Sequence, residues 1–233
     1  MRAAFLRYKP APDAVIGSQL LPGEEFAVLE IAGEWAWGYC RHDHYVGYVE
    51  VIELVEAPAP SHVVAAVEAS IHTEPDIHSP ALATLPMGAR LNGAERHGFL
   101  ATEMGYLPFT TVRGLDTHEH DWVAVAERLN GAPYLLGGRT ISGIDCSGLV
   151  QLSLALCGIR APRDSDQQRV LGASLPDQTP LRRGDLVFFE GHVGFMADDR
   201  RLIHATGHHG RVIVEPLEEV TGRTAILDRR RLS

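Results

Sequence analysis

The chain has 233 residues, of which 45% are hydrophobic, enough for one large or two to three small domains with a buried core; this composition excludes disorder as the default state. Its formal net charge is −9, and its 21 Lys and Arg are spread along the chain, with no basic stripe suited to a phosphate backbone, so nucleic acid is not an expected partner. The acidic excess suits a soluble surface and favours cationic substrates such as peptides carrying a diamino acid.

The first residues, Met1 to Pro12, include Arg2, Arg7 and Lys9 and lack the apolar stretch of a signal peptide. No later run approaches the roughly 20 apolar residues that span a bilayer. The expectation is a cytoplasmic protein without a membrane partner, acting as a monomer. Cys40, Cys146 and Cys157 are an odd number without paired short spacing, so neither a disulfide framework nor a zinc knuckle is indicated.

Up to about residue 115 the pattern is short apolar runs broken by Gly, Pro and Asn, the texture of small antiparallel sheets. Two stretches resemble each other: Leu21-Pro22-Gly23 followed by Gly47-Tyr48-Val49, and Leu85-Pro86-Met87-Gly88 followed by Gly105-Tyr106-Leu107. The second copy is shorter between its glycines, which implies a trimmed central hairpin. Glu56-Ala57-Pro58-Ala59-Pro60-Ser61 between them has linker composition. The pair resembles tandem bacterial SH3-like barrels, over residues 1–57 and 62–113. Trp35 and Trp37, two apart on one strand, are expected as half-buried barrel residues.

From residue 117 to 233 the texture is α+β. Asp116 or Thr117 is positioned to cap a helix carrying Trp122, Val125, Ala126 and Leu129, which Asn130-Gly131 ends. A second helix follows Asp145, with Leu149, Leu152 and Leu156 on one side and Gly158 as its stop. Strands follow at 186–189, 193–196, 202–205 and 212–214, separated by Gly or Asp turns.

A cysteine opens the second helix behind a glycine-rich approach, Tyr134-Leu135-Leu136-Gly137-Gly138 and then Gly143-Ile144-Asp145-Cys146-Ser147-Gly148. Unpaired amides and the helix dipole favour negative charge there, so Cys146 is expected to ionise readily and to act as a nucleophile. The same amides, with the Tyr134 hydroxyl, are candidate oxyanion donors. Cys157, among leucines, is expected to be a small core side chain. A thiolate needs a base and the base needs an orienting group. If the hairpin through Ala197-Asp198-Asp199-Arg200 pivots on Asp198, His192 and His204 lie directly opposite each other on one face. His192 is then the base and His204 fixes its tautomer. His208 and His209, flanked by glycines, are expected to be exposed and not to hold a metal.

Asp145-Cys146-Ser147-Gly148, Arg183-Gly184-Asp185-Leu186-Val187-Phe188-Phe189, His192-Val193-Gly194 and Leu202-Ile203-His204-Ala205 together resemble the NlpC-type branch of papain-like cysteine peptidases, over about residues 117 to 217. With SH3-like modules in front, the chain is similar to bacterial peptidases that release a dipeptide from γ-D-glutamyl-diamino acid peptides. Leu136 stands where that family usually has an aromatic residue. The resemblance implies a catalytic Cys146, His192 and His204, with Tyr134 assisting, and no metal or organic cofactor. It also implies that Asp145, Ser147 and Ser165 hold the free amine and the D-glutamate of a murein tripeptide or tetrapeptide. Glu68, Glu74 and Tyr106 are candidates to close the pocket. Two other functions stay open: an amidase or acyltransferase with the same triad, and a non-catalytic binder of wall peptides.

Overall fold

The structure, a computed structural model, describes residues 3–232. It divides into two compact units, one ending at His118 and the other beginning at Glu119.

In the first unit, β1 (Ala4–Arg7), β2 (Ile16–Leu20), β3 (Phe26–Ala32), β4 (Trp35–Cys40) and β5 (Val46–Glu50) form an antiparallel sheet in the order β2-β1-β5-β4-β3. Strand alternation gathers Ala4, Leu6, Leu20, Cys40 and Val49 into one apolar cluster and leaves Trp35 and Trp37 half-buried on one face of β4. β6 (His62–Val64), β7 (Glu68–His72), β8 (Ala81–Pro86), β9 (Arg90–Leu91), β10 (Ala94–Arg96), β11 (Phe99–Thr102), β12 (Gly105–Pro108) and β13 (Val112–Gly114) make two further sheets, β10-β11-β12-β7-β8 and β13-β6-β9. Ile71, Leu85, Leu100 and Leu107 belong to their separate core.

The repeat seen in the sequence has a backbone counterpart. Its turn glycines, Gly23 and Gly88, both sit at positive φ, +77° and +85°. The central hairpin pairs six residues of β3 with β4 but only three of β10 with β11.

In the second unit, α1 (Trp122–Glu127) and the short ribbon β14 (Arg139–Thr140) and β15 (Gly143–Ile144) precede α2 (Cys146–Leu156). β16 (Ala173–Ser174), β17 (Leu186–Phe189), β18 (His192–Met196), β19 (Arg201–Thr206), β20 (Arg211–Pro216), α3 (Leu217–Thr221) and β21 (Asp228–Arg231) complete it. The six strands from β16 onward form one sheet in the order β16-β21-β17-β18-β19-β20. Every residue of α2 except Ala155 is buried, and the helix packs on β18, β19 and α1. A helix buried on every side in this way is stable only inside a domain, where each buried Leu contributes about 1.5–3 kcal/mol. Gly158 at φ +76° ends it.

The structure corrects three sequence expectations here. The cap of α1 is Asp121, whose carboxylate accepts from the amides of Val123 and Ala124, both at 3.0 Å; Thr117 instead closes a turn onto Gly114. α1 also stops at Glu127, before the buried Leu129, because the Gly131 amide bonds to Val212 O at 2.9 Å and draws the chain onto β20. Cys157 is at the C-cap of α2 and only partly buried, so it is not a core side chain. Among the described residues no helix is long and apolar enough to cross a membrane.

Candidate active site

Asp145 leaves β15 in extended conformation and places Cys146 at the first position of α2, with its carboxylate accepting from the Gly148 amide at 2.7 Å. Gly148 is required by space as well as by the cap. A Cβ there would stand 2.5 Å from Gly138 O and 2.9 Å from Asp145 Oδ1. The Asp-Cys-Ser-Gly run is therefore one packing unit between the glycine-rich approach and the helix.

Asp145 is more than a cap. The buried Arg163 grips both of its oxygens, Nη1 to Oδ1 at 3.0 Å and Nη2 to Oδ2 at 2.7 Å, while the Gly137 amide reaches Oδ2 at 2.7 Å and Ser147 Oγ reaches Oδ1 at 3.3 Å. Arg163 Nη1 also donates to Ser147 Oγ at 2.8 Å. The charge of Asp145 is thus balanced inside the protein, and its oxygens already accept from five donors, which is not the open carboxylate that amine reading calls for. Gln168, fully buried, ties the following loop to the Ser147 carbonyl at 3.0 Å and to that of Pro162 at 2.9 Å. Ser165 lies half-buried in the turn between Arg163 and Gln168.

The Cys146 sulfur is buried and accepts hydrogen bonds from the amides of Ser147 and of Val193, the residue directly after His192. Burial and then the Asp145 charge push its thiol up to about 11, against the lowering effect of those two amides and Arg163. The expected easy ionisation does not hold, because desolvation outweighs the helix N-terminus. Burial, and then His204, push His192 down to about 4. The resting pair is a neutral thiol and a neutral imidazole.

The histidine register also differs from the expectation. Phe195 pairs with Ile203 and Met196 with Leu202, so the hairpin pivots on Asp199, not Asp198, and His192 and His204 are diagonal neighbours. They still share a face, since the difference is two residues. Continuing this register sets Gly194 opposite His204, where a Cβ would come within 2.9 Å of the His204 Cβ. That missing side chain leaves room for the His204 ring to lean across, and His192 Nε2 meets His204 Nδ1 at 2.7 Å.

A third strand extends the line. His204 pairs with Ile213 and Leu202 with Glu215, which makes Glu215 the next diagonal neighbour on β20. His204 Nε2 lies 2.8 Å from Glu215 Oε1, Arg223 Nη2 donates to the same oxygen at 2.7 Å, and His209 Nε2 is 3.4 Å from Oε2. Desolvation would raise the Glu215 carboxyl, but the hydrogen bonds from Arg223 and His204 hold it down at about 2. It is ionised and accepts only. His204 therefore carries its proton on Nε2, so its Nδ1 accepts from His192 Nε2, and His192 Nδ1 is left with the lone pair of a base. Sequence reasoning missed Glu215, Arg223 and Arg163. The available signal was a single carboxylate in the otherwise apolar strand Val212-Ile213-Val214-Glu215.

Tyr134 is half-buried beside β15, its amide bonded to Gly210 O at 2.8 Å. Burial, the Cys146 sulfur once it is ionised, and the Asp145 charge raise its phenol, which stays protonated and able to donate. Leu136 is exposed. His208 and His209 are exposed, as expected. Among the first-unit candidates, Tyr106 is half-buried on β12 opposite His72, Glu68 is exposed at the start of β7, and Glu74 is exposed just after β7.

Residues 131–231 match the NlpC/P60 family, and residues 6–54 match the bacterial dipeptidyl-peptidase SH3 domain. Dipeptidyl-peptidase 6 of Lysinibacillus sphaericus is 27% identical over 245 residues, an alignment covering 93% of this chain and 89% of that protein. A probable endopeptidase NlpC homolog of Haemophilus influenzae is 37% identical over 103 residues, which are 43% of this chain and 56% of that protein, so only part of that relative is represented. An NlpC/P60 family protein of Bacillus cereus has the same fold, with a TM-score of 0.84 at 20% identity over 98% of this chain and 96% of the other. The chain therefore carries an NlpC/P60 domain over residues 131–231, preceded over residues 6–54 by a bacterial dipeptidyl-peptidase SH3 domain.

Proposed function

We propose that this chain is a cysteine peptidase that hydrolyses the γ-D-glutamyl-diamino acid bond of murein peptides bearing a free N-terminal L-Ala. The observation that carries the chemistry is the Cys146 sulfur at the head of a buried helix, bonded by the amide of Val193, whose chain neighbour His192 is a base with its tautomer set through His204 and Glu215.

In the first step the sulfur bonds to the γ-carbonyl carbon while its proton passes to His192 Nδ1. Amides at the head of α2 and the Tyr134 phenol face the developing oxyanion. The carbon–nitrogen bond then breaks as His192 returns that proton to the leaving amine of the diamino acid. Water, deprotonated by the same imidazole, attacks the thioester and releases L-Ala-D-Glu. A neutral resting pair suits this sequence, since the sulfur gives up its proton only as the bond forms.

The similarity to Dipeptidyl-peptidase 6 along 93% of the chain supports release of a dipeptide from a free amino end. Because the Asp145 charge is already matched by Arg163, the substrate amine calls for another carboxylate, while Ser147 and Ser165 serve the D-glutamate. Short wall peptides with free amino ends arise from murein turnover, so the role is recycling, in the cytoplasm.

Mass spectrometry of the products from L-Ala-γ-D-Glu-meso-diaminopimelate tests this. The expected products are L-Ala-D-Glu and free diaminopimelate, with the N-acetylated tripeptide left intact. Failure to cleave any murein peptide, while amide or ester substrates are turned over, overturns it in favour of an amidase or acyltransferase.

A further inference from the structure

Away from the second unit, the turn that joins β4 to β5 gathers a donor set that the proposed peptidase chemistry does not use. Cys40 Sγ, a His42 ring nitrogen and an Asp43 carboxylate oxygen all lie within 4.8 Å of one another. Glu24, from the β2–β3 connection, adds a second carboxylate: its Oε1 is 3.7 Å from His42 Nε2, and Asp43 Oδ2 is 3.2 Å from the same nitrogen. The side chains of Asp43 and Glu24 are 1% and 4% exposed. Neither buried ring nitrogen of His42 makes a hydrogen bond of acceptable geometry.

The backbone fixes the two carboxylates beside His42. Asp43 Oδ1 accepts from the Tyr45 amide at 3.0 Å and Glu24 Oε2 from the Leu21 amide at 2.8 Å, so in each carboxylate one oxygen is anchored while the other faces His42. The turn is tight, with the His44 amide bonded to Cys40 O at 2.8 Å and His44 itself at φ +61°. A tetrahedral metal ion with bonds of about 2.0–2.1 Å to nitrogen and oxygen sets its ligand atoms roughly 3.3 Å apart. The two carboxylate distances to His42 Nε2 are close to that edge.

We propose that Cys40, His42 and Asp43, with Glu24 as the fourth ligand, bind a divalent transition metal ion of the zinc class. Soft thiolate, imidazole and carboxylate together suit Zn²⁺ and not Mg²⁺ or Ca²⁺. The ion would tie the β4–β5 turn to the β2–β3 connection and staple a small sheet whose apolar cluster is only five residues in its buried part. Sequence inspection gave no metal because Cys40-Arg41-His42-Asp43 lacks a second short pair; the partner carboxylate comes from Glu24, across the sheet.

The test uses the full chain with Cys146→Ala and Cys157→Ala, so that Cys40 is the only thiol. After chelation and dialysis it is titrated with Co²⁺, and the expected result is a thiolate-to-cobalt charge-transfer band saturating at one equivalent. Zn²⁺ displaces the cobalt and, at about 100 times its Kd, raises the melting temperature by about 5 °C or more. His42→Gln and Asp43→Asn, each made separately and checked for an unchanged apo circular dichroism spectrum, should weaken binding on the order of 100-fold and remove the zinc-dependent shift. No band at millimolar cobalt overturns the proposal. So does an unchanged affinity in whichever of the two variants folds.

Discussion

Replacing Glu215 by Gln leaves the side-chain volume nearly intact and removes one charge, at a position two imidazoles away from the reacting sulfur. In the native chain the carboxylate accepts from His204 Nε2 at 2.8 Å and from Arg223 at 2.7 Å, which places the His204 proton on Nε2 and makes Nδ1 an acceptor for His192. The Gln amide oxygen takes the place of Oε1, because Arg223 Nη2 and His204 Nε2 both donate to that one oxygen, so the His204 tautomer is kept. What is lost is the negative charge that stabilises the imidazolium formed when His192 takes the Cys146 proton. A hydrogen bond to a charged partner is worth about 1.5–3 kcal/mol, and at 1.36 kcal/mol per decade this corresponds to a fall in kcat of roughly 10- to 150-fold. KM should stay within about twofold, because Glu215 touches no substrate. Steady-state kinetics on the tripeptide, together with nitrogen NMR of the imidazoles to read the tautomers, checks both halves. A variant that melts like wild type and keeps kcat within twofold, or one in which the His204 proton moves to Nδ1, would refute the relay argument.

Cys146→Ala should abolish turnover while leaving a folded chain, seen as lost product with an unchanged circular dichroism spectrum. Gly194→Ala places a methyl 2.9 Å from the His204 Cβ; overpacking costs about 1–3 kcal/mol, and the displaced ring should lower kcat more than it raises KM. Arg163→Met leaves the Asp145 charge buried without its cation, a loss of about 3–5 kcal/mol that urea melts would measure; Asp145→Asn added to it should restore part of that stability. Stability should also report the resting protonation of the pair. His192, lowered from 6.5 to about 4, contributes stability that is present above pH 6.5 and lost as pH falls through 4, while Cys146, raised from 9.0 to about 11, contributes stability present below pH 9 and lost as pH rises through 11. Melting temperature against pH should therefore be flat between about 6.5 and 9, and Cys146→Ala should flatten the alkaline side alone. An ion pair at rest would predict the reverse on that side.

The local sequence determined much of this protein. Asp145, Cys146, Ser147 and Gly148 specify a capped helix start without reference to the rest of the chain, because the cap is a side-chain bond three residues long and the glycine answers a steric demand next to it. The turn glycines of the two sheets and the strand alternation around Trp35 and Trp37 were legible for the same reason, since each is a property of adjacent residues. His192 and His204 could be placed on a shared face because strands have period two, whichever of Asp198 or Asp199 the hairpin turns on.

What the tertiary structure decided are quantities that depend on burial and on residues distant in the chain. The proton of Cys146 stays on sulfur because the whole domain desolvates it, a sum over many packed neighbours that a helix-start motif does not contain. Arg163 reached Asp145, and Glu215 with Arg223 reached His204, only once a buried loop and a third strand had been laid alongside. The same holds for Glu24 and the Cys40 turn, which are separated in sequence and meet across a sheet. Short-range chemistry is written in neighbouring letters; charge compensation in a low-dielectric interior is settled by whichever groups the fold brings within a few ångströms.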